Sequence, residues 1–246
     1  MNIVKFTNHR HNGHLFHYGH FFHDCLMPEV NWGSLNYKDI IRQECPQQTI
    51  GVFSKIYKEL GVNNIEFNKK DFDLNPAKHA IIKGYNFNGF THNNVQKFNS
   101  IISERLSPKK NFWQDILIIN RSSQDLSNDG KIKGNLNNGS GRRNINSIEQ
   151  ITNEIKKLNL SFSIVSLENK TFKEQIEIFN SAKTIIGNHG AGLCNIVFCS
   201  KNSNLIEIGC NHVETFRSMS AANNLNHYCS ENNADSVIQC LRKIYK

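Results

Sequence analysis

No run in this chain approaches the roughly 20 consecutive apolar residues needed to cross a bilayer. The opening stretch, MNIVKFTNHRHNGHLFHYGH, carries no hydrophobic core of a secretory signal. The expectation is a protein with no integral membrane segment and a cytoplasmic location. The seven cysteines are odd in number and include no Cys-x-x-Cys pair. Neither a zinc knuckle nor a closed disulfide framework is therefore indicated, and reduced thiols are expected. Also missing are the Gly-Lys-Ser/Thr ending of a phosphate-binding P-loop and the Gly-x-Gly-x-x-Gly dinucleotide fingerprint. With 246 residues, 38% of them hydrophobic and 20% charged, a disordered or collagen-like chain is excluded too.

Asparagine is abundant, at 36 residues, so the glycosylation-like tripeptides at Asn120, Asn138, Asn159 and Asn169 carry little weight. The net charge of +8 is spread over both halves of the chain. That spread marks no nucleic-acid stripe, and no nucleic-acid partner is expected. It does suit a small phosphate-bearing ligand, whose local concentration a mildly positive protein raises.

Two halves meet near Ser107-Pro108-Lys109-Lys110, which sets the expected domains at 1–108 and 109–246. In the first, Ile50, Phe53, Ile56, Tyr57 and Leu60 fall at helical spacing, with Gly61 where a helix-ending glycine belongs. Residues 63–67 and 79–83 read as short strands, and Val95 to Leu106 as a second helix. In the second half, apolar runs at 116–119, 162–165, 184–186 and 205–208 alternate with helical patterns. This rhythm predicts an α/β fold with a doubly wound parallel sheet. A polar, glycine-bearing loop, 122–146, follows the first of these strands at the sheet end where such folds bind ligands.

The segment Thr184-Ile-Ile-Gly-Asn-His-Gly-Ala-Gly-Leu-Cys-Asn-Ile-Val-Phe198 is a buried strand, a glycine turn and an apolar helical start. Backbone amides at such a turn favour a phosphate, and His189 adds a side-chain donor. The glycines would equally serve close strand–helix packing. Glu207 stands alone in the apolar strand Leu205-Ile-Glu-Ile208, where an unpaired carboxylate is costly. A ribose contact and a structural ion pair are both open to it. Arg121, closing the first strand of this half, and Arg143, ending the loop, match phosphate oxygens.

Taken in order, Ile116-Leu-Ile-Ile-Asn-Arg121, Arg142-Arg143-Asn-Ile-Asn146, Glu174-Gln175, His189-Gly-Ala-Gly-Leu-Cys-Asn195 and Ile206-Glu-Ile208 resemble glycosyltransferase family 61. The segment His20-Phe-Phe-His-Asp-Cys-Leu-Met-Pro28 is similar to a His-x-x-His-Asp-x-Leu-x-Pro stretch of a member of that family. The resemblance implies a compact GT-B-like arrangement of two Rossmann-like domains. It implies inversion at the anomeric carbon, with no cofactor and no essential metal. The co-substrate would be a nucleotide sugar of the UDP-linked kind, bound by residues 109–246 through Arg121, Arg143, His189, Gly190, Ala191, Gly192, Leu193 and Glu207. The acceptor, a glycan or glycoprotein hydroxyl, would sit over residues 1–108. A nucleotide-sugar-binding protein without activity on the same scaffold is the alternative.

Inversion needs one base to take the acceptor proton. If residues 19–28 begin an α-helix, His20 and Asp24 lie four apart on one face, so either is a candidate base, with His23 on an adjacent face. His11, His14, His17, His20 and His23 recur at every third residue, which raises a metal-dependent hydrolase as a third reading. A helix turns about 300° over three residues, so the five sweep around it and do not converge. No metal is expected.

Overall fold

The computed structural model describes residues 2–7, 19, 21–33, 39–43, 50–62, 64–68, 79–83, 90–109, 114–120, 145, 147–168, 170–210 and 214–246. Of these, 2–7, 24–25, 39–43, 50–53, 64–68 and 79–83 are described by backbone alone. The chain divides into two compact units, Met1–Lys109 with Thr171–Glu174, and Lys110–Lys170 with Gln175–Lys246.

The first unit holds a four-stranded, all-parallel sheet of β1 (Asn2–Thr7), β2 (Asp39–Gln43), β3 (Asn64–Asn68) and β4 (His79–Lys83), in the order β3-β2-β1-β4. β1 and β2 were not anticipated from the sequence pattern. The other elements are a π-helix (Phe21–Leu26) running into α1 (Met27–Trp32), then α2 (Ile50–Glu59) and α3 (His92–Leu106). Phe21, Phe22, Leu26, Met27 and Val30 are fully buried, with Phe22 edge-on to Phe98 of α3 at 5.5 Å. Each such side chain contributes about 1.5–3 kcal/mol. Gly61 ends α2 as its position predicts: its φ of +84° is left-handed, and Val62 N–H returns to the Tyr57 carbonyl at 2.9 Å.

The second unit contains β5 (Gln114–Ile119), α4 (Ile148–Lys157), β6 (Phe162–Val165), α5 (Phe172–Asn180, its first residues grouped with the first unit), β7 (Ala182–Asn188), a 3₁₀-helix (Ala191–Phe198), β8 (Asn204–Ile208), α6 (Thr215–Ala222), β9 (Asn226–Ser230) and α7 (Ala234–Ile244). The sheet is all parallel in the order β6-β5-β7-β8-β9. This is the expected alternation of strand and helix, with β9 added at an edge. Isoleucines 116, 118, 186, 206 and 208 pack with Ile151 and Ile155 of α4 and Val237 and Leu241 of α7. The direction of winding changes between β5 and β7, and in such sheets the crevice beyond the carboxyl ends at that point binds ligands.

Two expectations are corrected. Cys210 and Cys229 form a disulfide, their Cα atoms 5.9 Å apart. The cysteine count could not show it, because pairing of β8 with β9 sets Cys229 beside Glu207, and Gly209, at φ +74°, turns the chain just before Cys210. The link removes the thiol argument for a reducing compartment. The segment Phe21–Leu26 is π-helical, so the α-helical spacing that put His20 and Asp24 on one face does not apply there. No helix among the described residues is long and apolar enough to cross a membrane.

Candidate active site

β7 ends in Gly187-Asn188, and its ladder continues one residue further, where His189 N–H donates to the Ile208 carbonyl at 2.7 Å. The register Gly187↔Glu207↔Cys229 then fixes the geometry. Side chains alternate along a strand, so His189, two residues beyond Gly187, shares a face with Glu207. His227, two residues before Cys229, shares it too. Glu207 thus lies between two imidazoles. Its Oε1 accepts from His189 Nδ1, and its Oε2 accepts from His227 Nε2 at 2.7 Å.

Burial alone pushes the Glu207 carboxyl up, but the hydrogen bonds from His189 and His227, with their electrostatic attraction, outweigh it and hold the group below its ordinary value. An ionised carboxylate only accepts, so both imidazoles donate to it. The Glu207 side chain is 1% exposed, that of His227 14% and that of His189 28%. Of the three, His189 is the group most open to solvent. With Nδ1 turned to Glu207, Nε2 is the ring nitrogen that faces away from that carboxylate. Phe216 of α6 stands edge-on to the same ring at 5.1 Å.

Of the two roles its sequence left open, the glycine turn serves close packing. A Cβ at Gly187 would lie 2.8 Å from Leu193 Cδ2, and one at Gly192 would lie 3.3 Å from Leu167 Cδ1, so both glycines serve close packing. Leu193 is buried, and its N–H donates to the Gly190 carbonyl at 2.9 Å. The amides of Ala191 and Gly192 stand ahead of that first helical bond, where no intrahelical acceptor exists. The helix that follows is 3₁₀. Asn195 is fully buried and donates to Gln175 at 2.9 Å, tying the 3₁₀-helix to α5.

Arg121 and Arg143 lie outside the described residues. The chain beside them does not: Ile145 N–H donates to Asn120 Oδ1 at 3.4 Å, which brings the end of the 122–146 segment back to the carboxyl end of β5. In the first unit, His23 is buried, its ring 5.8 Å from Phe90 in edge-on contact. His20 and the side chain of Asp24 lie outside the described residues, as do His11, His14 and His17. The structure thus brings together His189, Gly190, Ala191, Gly192, Leu193 and Glu207. It adds His227, which the sequence reading missed. The sequence signal goes only part of the way: a buried carboxylate needs donors, but which residues supply them is set by the strand register.

A parallel sheet whose winding changes direction beside a glycine turn, with a carboxylate-backed imidazole at its carboxyl edge, defines a Rossmann-like α/β unit. The chain belongs to the glycosyltransferase 61 family, whose model matches residues 18–206. The family implies a sugar donor and an acceptor as substrates. No curated protein matches the chain.

Proposed function

We propose that the protein is an inverting glycosyltransferase that moves a sugar from a UDP-linked type of nucleotide sugar to a hydroxyl of a glycan or glycoprotein. In this reading residues 109–246 bind the donor, residues 1–108 face the acceptor, and the two form a GT-B-like pair. The observation that carries it, within a chain of this family, is the His189–Glu207 couple at the head of the glycine turn. The donor diphosphate is assigned to the Ala191 and Gly192 amides, His189, Arg121 and Arg143. To donate to a phosphate oxygen through Nε2–H, His189 must be an imidazolium, with Nδ1–H on Glu207 and Nε2–H on the ligand. Glu207 itself is sealed between two imidazoles and supports His189, so the ribose contact considered for it is not proposed.

The acceptor oxygen attacks the anomeric carbon as the bond to the diphosphate oxygen breaks. A base, His20 or Asp24, takes the acceptor proton, and charge gathers on the leaving diphosphate, where preorganised donors act most strongly. No metal is needed for this sequence. The test is calorimetric titration of folded protein with a panel of nucleotide sugars, followed by product analysis with and without EDTA. Binding of a UDP sugar, and transfer with inverted configuration that survives EDTA, is expected. No binding by any donor overturns the reading.

A further inference from the structure

The family match ends at residue 206, one position before Glu207 and well before β9. β9 nevertheless supplies the second ligand of the buried carboxylate. A glutamate side chain can rotate, and a single hydrogen bond at Oε1 would leave Oε2 to find another donor or to draw Oε1 away. His227 removes that freedom. It is itself held by the sheet: Leu205↔His227 and Glu207↔Cys229 are register pairs, and the Cys210–Cys229 disulfide fastens the same stretch of β9 to the exit of β8. The face of β9 that carries His227 is therefore anchored at the residue two positions on.

We propose that His227 is a positioning residue for the transfer reaction. By donating its Nε2–H to Glu207 Oε2, it holds the carboxylate in the orientation from which Oε1 accepts His189 Nδ1–H, so that Nε2 of His189 is the nitrogen presented at the carboxyl edge. This rests on the transferase reading for its purpose but not for its geometry. Outer partners of this kind fix the tautomer and direction of a working histidine, and the chemistry feels their loss although they touch no substrate.

The test uses the full chain, labelled with ¹⁵N, and reads the imidazole nitrogens by ¹H–¹⁵N correlation alongside steady-state kinetics. In the wild-type protein His189 is expected with Nδ1 protonated. In His227→Ala that signature gives way to a mixture. There kcat should fall about 10- to 100-fold, the loss typical when a partner orienting a working histidine is removed, with little change in donor KM. His227→Gln, whose amide donates from a similar place, should restore most of both. A bare Nδ1 on His189 in the wild-type protein overturns the proposal without any variant. So does unchanged kcat with unchanged His189 nitrogens in His227→Ala, or a His227→Gln enzyme as impaired as the alanine variant. If the spectra behave as expected but no form of the protein binds or turns over a nucleotide sugar, the array stands and the transferase reading alone falls.

Discussion

At the amino ends of β5, β7, β8 and β9, polar side chains form a continuous line of hydrogen bonds. Asn226 donates to Asn204, Asn204 to Thr184, Thr184 shares a hydrogen bond with Tyr245, and Tyr245 donates to the Asp115 carbonyl, at 3.0, 3.1, 2.7 and 3.1 Å. Asp115 also accepts from Ser161 and Lys183. At the carboxyl ends of the same sheet, Glu207 is equally satisfied, and one of its two partners is His189, the most exposed member of that array. The first cluster fastens strand ends to one another. The second fixes the orientation of an imidazole. Polarity at a sheet edge is thus no sign of a site by itself; what distinguishes the two edges is what the network holds, strand ends at one and the orientation of an imidazole beside the glycine turn at the other.

The largest expected effect breaks the comparison at its functional end. His189→Ala should lower kcat by about 10²–10³, the range for losing one preorganised donor at a developing charge. The melting temperature should change by only a few degrees, since the imidazole is the outermost member of its array. Steady-state kinetics with a thermal melt decides it. A large fall in stability with unimpaired turnover would make the carboxyl edge a fastening like the amino edge.

Glu207 tests the same contrast through pH. Its carboxyl is held below the ordinary value, so it stabilises the fold above the usual glutamate range, and that contribution is lost as pH falls through the depressed value. Urea midpoints followed downward from about pH 6 should drop more steeply for wild type than for Glu207→Gln, whose neutral amide removes this dependence. Because Glu207 is buried, added salt should leave the difference nearly intact. Parallel acid curves for the two proteins would count against the ion-pair geometry.

Much of the second unit was readable because buried parallel strands carry unbroken apolar runs. Ile116 to Ile119 and Leu205 to Ile208 announce themselves. β9 does not: Asn226-His-Tyr-Cys-Ser230 is an edge strand, half solvated, and its place is set by pairing with β8. That same pairing hides the two facts that matter most at the site. His189 and His227 are 18 and 20 residues from Glu207 in sequence, and Cys210 is 19 from Cys229, so only the register brings them together. The cost of burying Glu207 was legible; the identity of what offsets it was not. The apolar run 191–198 reads as the start of an ordinary helix, but the chain there keeps the tighter three-residue repeat set by the Gly190–Leu193 bond. In the first unit, Gly61 stops α2 where its sequence position says, because a left-handed residue is a local requirement. Nothing local to Phe21–Leu26 distinguishes a π-turn from an α-turn.

The smallest effect is expected at the amino edge. The hydrogen bond from Lys183 holds the Asp115 carboxyl below its ordinary value against the opposing effect of burial, with Ser161 adding to the depression. Asp115 therefore also stabilises the fold above the usual aspartate range and loses that contribution as pH falls through the lowered value. Lys183 is 62% exposed, however, so solvent and counterions screen the pair. Lys183→Ala should cost at most about 1 kcal/mol at low ionic strength, shrinking toward zero in about 0.5 M salt, with kcat and donor KM unchanged. Urea unfolding at two salt concentrations, beside the same kinetic assay, measures both. Salt should erase the stability difference here while sparing the one at Glu207. If salt instead erased both, or if Lys183→Ala lowered turnover, the division of the sheet into a fastening edge and a working edge would fail.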